Sequence, residues 1–324
     1  MSGPDRTQAR EPATAAPGDG AAGPPATGNG SGGAAGAPAA GNGVGIARGG
    51  GPVRGTLPLR VEFVRQFRRR RTLVMFGLLL ALPWILVAAF ALGPAPVQQS
   101  SLRLSDLATQ GGLNFAAFVL SVSATLLLVV AVALFCGDTV ASEASWSSLR
   151  YLLAAPVPRD RLLRQKLVVA LTYSATAVVA LPLMALLAGT VAFGWNDIRL
   201  PGTGEAVAAA SVLPRFGIVV GYALVSQLVV AALAFLLSVS TDSPLGAVGG
   251  AVGLVIVSTI LQAVDALGVV REFLPTFWNA AWVDALAPEL DWSRMAKGAS
   301  LSVTYAVVLV ALAFRRFRRK DVVS

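Results

Sequence analysis

Apolar residues fall along this chain in long unbroken runs, not in the alternation of a strand or the one-sided stripe of a soluble helix. Six runs contain no Asp, Glu, Lys or Arg: 73–92, 113–136, 167–194, 216–240, 245–264 and a shorter one, 298–314, open to lengthening at its flanks. A hydrocarbon layer about 30 Å thick is crossed by roughly 20 residues of helix, and a helix satisfies its own backbone groups where water is absent. The pattern predicts an all-α integral membrane protein with six transmembrane helices over 73–314. Pro83 and Pro182 fall inside the first and third runs. Neighbouring helices can take up the carbonyls they free, and a kink is expected at each.

The segment before the first run, 56–72, has a different period. Leu59, Phe63 and Phe67 recur four apart with Val64 beside them, while Arg60, Arg65 and Arg68 project elsewhere. This predicts an interfacial amphipathic helix; the plainer alternative is that Arg68 to Arg71 only anchor the first span against anionic lipid. Residues 1–55 carry 16 of the 33 glycines with many Ala and Pro and no apolar run, which predicts a disordered tail. The tail lacks the apolar stretch of a secretory signal.

Composition agrees with a membrane body: of 324 residues, 55% are hydrophobic and 13% charged. The single cysteine, Cys136, cannot close an intrachain disulfide, and the lack of histidine removes the commonest general base and metal ligand. The net charge of +9 would suggest nucleic acid if it were spread evenly. It is not. Sixteen Lys and Arg flank the runs on one side (before the first, after the second, and in the basic end 315–324), against six on the other, where eight acids offset them. Cytoplasmic flanks retain Lys and Arg, so both termini are expected in the cytoplasm of a multi-pass cell-membrane protein. The basicity is then topological, and no nucleic acid partner is needed.

Between the second and third runs lie about thirty residues, 137–166, far more than a turn needs. Leu149, Leu152 and Leu153 fall at i, i+3 and i+4 with Trp146 one turn earlier, predicting a short helix with one apolar stripe that Pro156 and Pro158 stop. Arg159, Arg161, Arg164 and Lys166 follow at the membrane edge. Such a stripe, flanked by Glu143 and Arg150, suits either a partner protein or the bilayer surface, and the residues alone do not choose.

This loop resembles that of the ABC-2-type permeases, the membrane subunits of ATP-binding-cassette exporters, which runs approximately E-x-x-x-G-T-L-R-x-L-L-x-x-P-V-x-R and on to a lysine. Glu143, Leu149, Arg150, Leu152, Leu153, Pro156, Val157, Arg159 and Lys166 stand at the matching places, straight after the second of six spans. The G-T pair is replaced by Ser147 and Ser148. The resemblance implies that Glu143 to Lys166, with Trp146 on the stripe, form a cytoplasmic coupling helix seated in a cleft of an ATPase subunit. It also implies a homodimer or heterodimer with a second permease. The chain itself would hold no cofactor, with ATP and magnesium bound by the partner ATPase.

Absences sharpen that expectation. A nucleotide cradle ends in Gly-Lys-Ser or Gly-Lys-Thr, and no Gly-Lys pair occurs. The runs lack the midplane charges of ion-coupled carriers and charged-ring channels. Proteases built on His-Glu-x-x-His or a serine–histidine pair fail for want of histidine. The aspartyl version would need Asp138 and Asp265, which sit at run ends on opposite expected faces and read better as helix-end residues in water.

Polar groups inside runs mark a possible substrate path: Tyr173, Tyr222, Gln227 and Gln262, with Gln227 foremost because a mid-span amide needs an interhelical or ligand partner. Gly246 with Gly250, and Gly249 with Gly253, form overlapping G-x-x-x-G pairs that predict close helix packing, within one bundle by default. Phe273, Phe277, Trp278 and Trp282 sit at helical spacing between the last two runs, predicting a short helix at the outer leaflet or an aromatic belt. The expectation is a non-enzymatic permease subunit exporting an amphiphilic or lipid-like small molecule. A non-transporting scaffold or sensor and a secondary transporter are the alternatives.

Overall fold

The computed structural model describes residues 59–93, 104–145, 159–199, 205–287 and 291–319 and is mostly helical. The expected tail, 1–55, lies outside the described residues. The helices are α1 (Leu59–Phe67), α2 (Arg70–Leu92), a single turn α3 (Leu104–Leu107), α4 (Gly112–Ala124), α5 (Leu127–Ser145), α6 (Arg159–Phe193), α7 (Ala209–Ser226), α8 (Leu228–Ser240), α9 (Pro244–Gln262) and α10 (Ser293–Arg319). A two-residue antiparallel ribbon, β1 (Ile198–Arg199) with β2 (Ala206–Val207), sets Ile198 opposite Val207.

Among the described residues five helical stretches are long and apolar enough to cross a membrane: α2, α6, α7 with α8, α9 and α10. A sixth results if α4 and α5, bent by 55° at their junction, form one span. The architecture is that of a membrane-spanning helical protein.

Local chemistry explains the ends. Ser243 caps α9, its hydroxyl accepting from the Gly246 amide at 3.2 Å with Pro244 at the first helical position. Gly194 ends α6 at φ +79°, a left-handed conformation that glycine enters without steric cost. The α4–α5 bend follows Ser121, whose hydroxyl donates back to the Ala117 carbonyl at 2.9 Å, a bond that bends helices. α2 runs through Pro83 and α6 through Pro182 without a break in either helix. A bend of 55° lies at the break around Thr125 and Leu126.

α5 and α8 form the centre, with Phe135 and Phe235 fully buried between them and their neighbours. α9 and α10 pack on α8, α6 covers α5 and α4, and α2 lies outermost against α6. The Val140 and Ala141 amides both reach the Ser238 hydroxyl at 3.0 Å, fixing α5 to α8. At the opposite end Asn114, buried in α4, holds the ribbon by donating to the Arg199 carbonyl at 2.8 Å and accepting from its amide at 3.0 Å.

The close backbone approaches are not at the expected glycines. Gly249 and Gly253 face open space, Gly246 sits in its own helix cap, and Gly250 alone meets a neighbouring helix, at Leu237. Within the single chain only Gly250 of the two G-x-x-x-G pairs therefore meets another helix, since a small residue permits close approach but does not create a partner. The tight crossings are α4 on α6, where a Cβ on Gly189 would lie 2.8 Å from Phe115 Cβ and 3.0 Å from Gly112 Cα, and α10, where one on Gly298 would strike Trp278.

The aromatic connection before α10 is two 3-10 segments, Asp265–Phe273 and Ala281–Leu286, joined by turns, and not the expected α-helix. Its aromatics divide: Trp282 is buried beside α7, while Phe273 is exposed. Side chains from the helices stitch it down, Tyr222 donating to the Trp278 carbonyl at 2.6 Å, Tyr305 to that of Phe273 at 2.8 Å and Arg215 to that of Ala287 at 2.5 Å.

Gly189→Ala is expected to destabilise the protein by about 1–3 kcal/mol through overpacking, whereas Gly253→Ala leaves stability unchanged or slightly raised. Thermal unfolding of the detergent-solubilised full chain measures both.

Candidate functional site

Charged side chains gather at one end of the bundle, where α1, the end of α5 and the start of α6 meet. Lys166 and Glu143 are both buried and lie 2.6 Å apart. Lys166 also reaches Glu62 of α1 at 3.3 Å, and Arg65 of α1 reaches Glu143 at 3.4 Å. One helical turn and a half before Glu143, Asp138 accepts from Arg69 at 2.6 Å and Arg71 at 3.1 Å. Arg69 donates as well to the Ser142 hydroxyl at 3.1 Å. The Tyr173 hydroxyl of α6 donates to the Phe63 carbonyl at 2.7 Å, adding a neutral bond beneath α1. At the same end Arg318 of α10 meets Asp160 of α6 at 3.2 Å.

Helical sequence positions these groups. Glu143 projects from α5 toward α1 and Asp138 toward the α1–α2 junction, and Lys166, seven residues into α6, meets Glu143. α1 turns its polar side inward: Gln66 is buried and Glu62 paired, while Leu59, Val61, Val64 and Phe67 are exposed. Phe63 alone of the expected stripe packs on the bundle, against Tyr173 with ring centres 5.9 Å apart. Taking a charge out of water costs several kcal/mol unless it is paired and hydrogen-bonded. Here each buried group has an opposite charge in contact.

Glu143 and Lys166 thus bracket the expected coupling segment by pairing within the chain. Trp146, Leu149, Arg150, Leu152, Leu153 and Pro156 lie outside the described residues, and Arg159 opens α6. Asp138 is corrected: it is not a helix end in water but buried inside α5 and doubly paired, because α5 continues to Ser145. Asp265 is exposed beside Arg271 at the far end.

The four path residues separate. The hydroxyls of Tyr173 and Tyr222 are committed to the Phe63 and Trp278 carbonyls, and neither residue lines a cavity described here. Gln227 and Gln262 line two different cavities. Gln227 stands at the junction of α7 and α8, buried, with its amide Nε2 donating to the Ala124 carbonyl at 3.3 Å. That carbonyl is exposed to a partner by the bend between α4 and α5, so two interrupted helices meet at one hydrogen bond. Gln227 Oε1 is buried with no partner. On one side of this contact lies an almost wholly apolar cavity of about 280 Å³, with Gln227 and Ser174 its polar groups. On the other, beside Ala124 and Thr125, lies a second of about 320 Å³ lined by hydroxyls and amides, including Gln262. Among the described residues no three His, Cys, Asp or Glu side chains group as a metal site.

A family model, described as a protein of unknown function (DUF2705), matches residues 85–323. The chain belongs to the DUF2705 family. No curated protein matches it. The DUF2705 match begins inside α2 and takes in Asp138, Glu143, Lys166, Gln227 and Gln262, but not α1. The ion cluster therefore joins the matched region to residues before it.

Sequence reasoning missed the partners of this cluster: Glu62, Arg65, Arg69 and Arg71. The signal was a lone acid, Asp138, two residues past an apolar run, together with the dense arginine series 68–71. Lys166→Met in the DUF2705 chain leaves Glu143 and Glu62 without their shared cation and is expected to destabilise it by about 3–5 kcal/mol. Pairing it with Glu143→Gln should recover part of the loss, read as the midpoint of thermal unfolding in detergent.

Proposed function

We propose that this DUF2705 chain is the permease subunit of an ATP-driven exporter, moving an uncharged amphiphile across the cell membrane with a separate ABC ATPase. The observation that carries the reading is the loop signature between Glu143 and Lys166, whose two ends a buried ion pair 2.6 Å long holds together at one end of a membrane-spanning bundle. The resemblance to ABC-2 permeases supplies the role. The physics supplies a reason it works, since a segment pinned at both ends passes a push to the helices that hold it.

On this reading the ion-cluster end faces the cytoplasm, which agrees with its basic flanks and with α1 lying its exposed apolar side in the headgroup layer. Closure of the ATPase pair displaces residues 146–158. Glu143 and Lys166 transmit the displacement to α5 and α6, and Glu62 and Arg65 carry α1 with them. The bend between α4 and α5 and the junction at Gln227 are the compliant points of the bundle. Opening there joins the two cavities that the Gln227–Ala124 bond separates. Directional movement requires that nucleotide or cargo bind the two arrangements with different affinity. A second permease chain completes the pathway, and α2 and α9, each largely unburied in the single chain, offer it apolar surface.

Replacing Leu149 and Leu152 together by Asp removes the apolar stripe and is expected to weaken co-purification of a co-expressed ABC ATPase roughly tenfold or more. ATP turnover stimulated by the permease should fall with it. Unchanged turnover and capture in that variant would favour a scaffold that transports nothing, and ion-driven efflux persisting without ATP would favour a secondary transporter.

A further inference from the structure

The second cavity lies at the end of the bundle away from the ion cluster, where the α4–α5 bend, the last turn of α9 and the turns around residues 274–283 converge. It measures about 320 Å³, and among the described residues no Asp, Glu, Lys or Arg lines it. Of its polar groups, Ser121 and Thr276 are hydrogen-bonded within the chain, to the Ala117 carbonyl and the Ser258 hydroxyl, and the others keep hydrogen-bonding capacity. Gln262 Oε1 is buried and has no hydrogen-bond partner among the described residues. The side chains of Asn279 and Thr125 make no hydrogen bond within the described residues. Thr259 donates its hydroxyl proton to the Val255 carbonyl at 2.9 Å, which leaves its oxygen to accept. Two aromatic side chains, Phe277 and the buried Trp282, complete the wall.

These features select a ligand class by elimination. A phosphate or carboxylate would enter with a charge that nothing in the wall neutralises, and an ammonium would meet no carboxylate. A hydrocarbon would leave the Gln262 carbonyl as unsatisfied as it is now, at the full desolvation cost of a buried acceptor. A hydroxyl donates and accepts at one atom, and an amide does the same across its two ends. Several hydroxyls on one ring therefore match Gln262, Asn279, Thr125 and Thr259, while the ring's C–H face lies on the indole or phenyl surface. The volume is at the low end of small-molecule pockets, roughly 300–1,000 Å³, room for one ring and not for a tail. The tail has a place outside it: Val122, Leu126, Ile260 and Leu261, next in sequence to lining residues, are exposed apolar side chains.

We propose that this cavity binds the uncharged, polyhydroxylated head of an amphiphile, a sugar or polyol ring whose apolar chain lies along the bundle surface. That such a molecule is the exported cargo rests on the permease reading; the binding site does not.

The test uses the full chain in phosphatidylcholine nanodiscs without any ATPase, with labelled octyl glucoside below its micelle concentration as the probe and protein-free discs subtracted. The expected result is saturable binding that 1-octanol and octyl phosphate fail to displace, weakened about tenfold by Gln262→Leu and by Asn279→Leu. Thr125→Val, at the exposed rim, replaces either variant that is not monodisperse on size exclusion and should weaken binding severalfold. Absence of saturable binding, equal displacement by octanol, or unchanged affinity in the folded variants overturns the site. Because no nucleotide enters the assay, a missing ATPase partner leaves this result standing, and ATP-coupled function without glucoside binding overturns the site alone.

Discussion

A glutamate and a lysine buried against each other at the end of an apolar bundle constrain everything around them. Glu143 and Lys166 cannot separate without leaving a charge out of water, which costs far more than a surface pair would. α5 and α6 are therefore locked where the intervening segment leaves and returns. Glu62 and Arg65 extend the same constraint to α1, so a helix with four exposed apolar residues is held by its polar side. That orientation is the reverse of a soluble amphipathic helix. It is explained if the exposed side meets lipid while the ionic side supplies the attachment.

The bundle handles broken backbone in a second way. Proline removes a donor from a helix, yet α2 and α6 pass Pro83 and Pro182 without interruption. The interruption occurs where Ser121 bonds its own helix and Thr125 and Leu126 form a turn. A freed carbonyl in an apolar interior needs a donor, and Gln227 reaches Ala124 to provide one. Since the amide's other end finds nothing, the contact is half satisfied. A half-satisfied contact costs less to exchange than a fully bonded one.

Much of the fold was legible because membrane helices depend on run length and charge exclusion, both visible in one sequence. The six runs reappear as helices, lengthened where Asp138 and Glu143 on one side, and Asp160 and Lys166 on the other, are carried past the apolar stretch by pairing. Pairing is not visible in a sequence. Asp138 read as a wetted helix end because Arg69 and Arg71 stand 69 and 67 residues away. Glycine spacing misled for a similar reason: Gly249 and Gly253 have the right interval but face open space, whereas Gly112 and Gly189, far apart in the chain, are the ones that touch. Of the site, Gln227 was legible since a lone amide in an apolar run must find a partner. The shared roles of Tyr173 and Tyr222 as carbonyl donors were not, because a buried phenol looks the same whether it meets a ligand or a backbone.

Charge at one end, hydroxyls and amides toward the other, and an apolar cavity between them define a gradient along the bundle. The ion cluster resists water loss and so fixes the frame. The apolar cavity of about 280 Å³ admits hydrocarbon without penalty, and the polar one of about 320 Å³ offers hydrogen bonds without charge. A molecule satisfied by both must itself be two-ended and neutral. Gln227 stands where the two environments meet, bonded through its nitrogen to Ala124 and unbonded through its oxygen. A molecule in contact with both would have to offer that oxygen a donor or displace the amide from Ala124. The same residue therefore ties the two broken helices together and leaves one polar atom unmatched between the two environments.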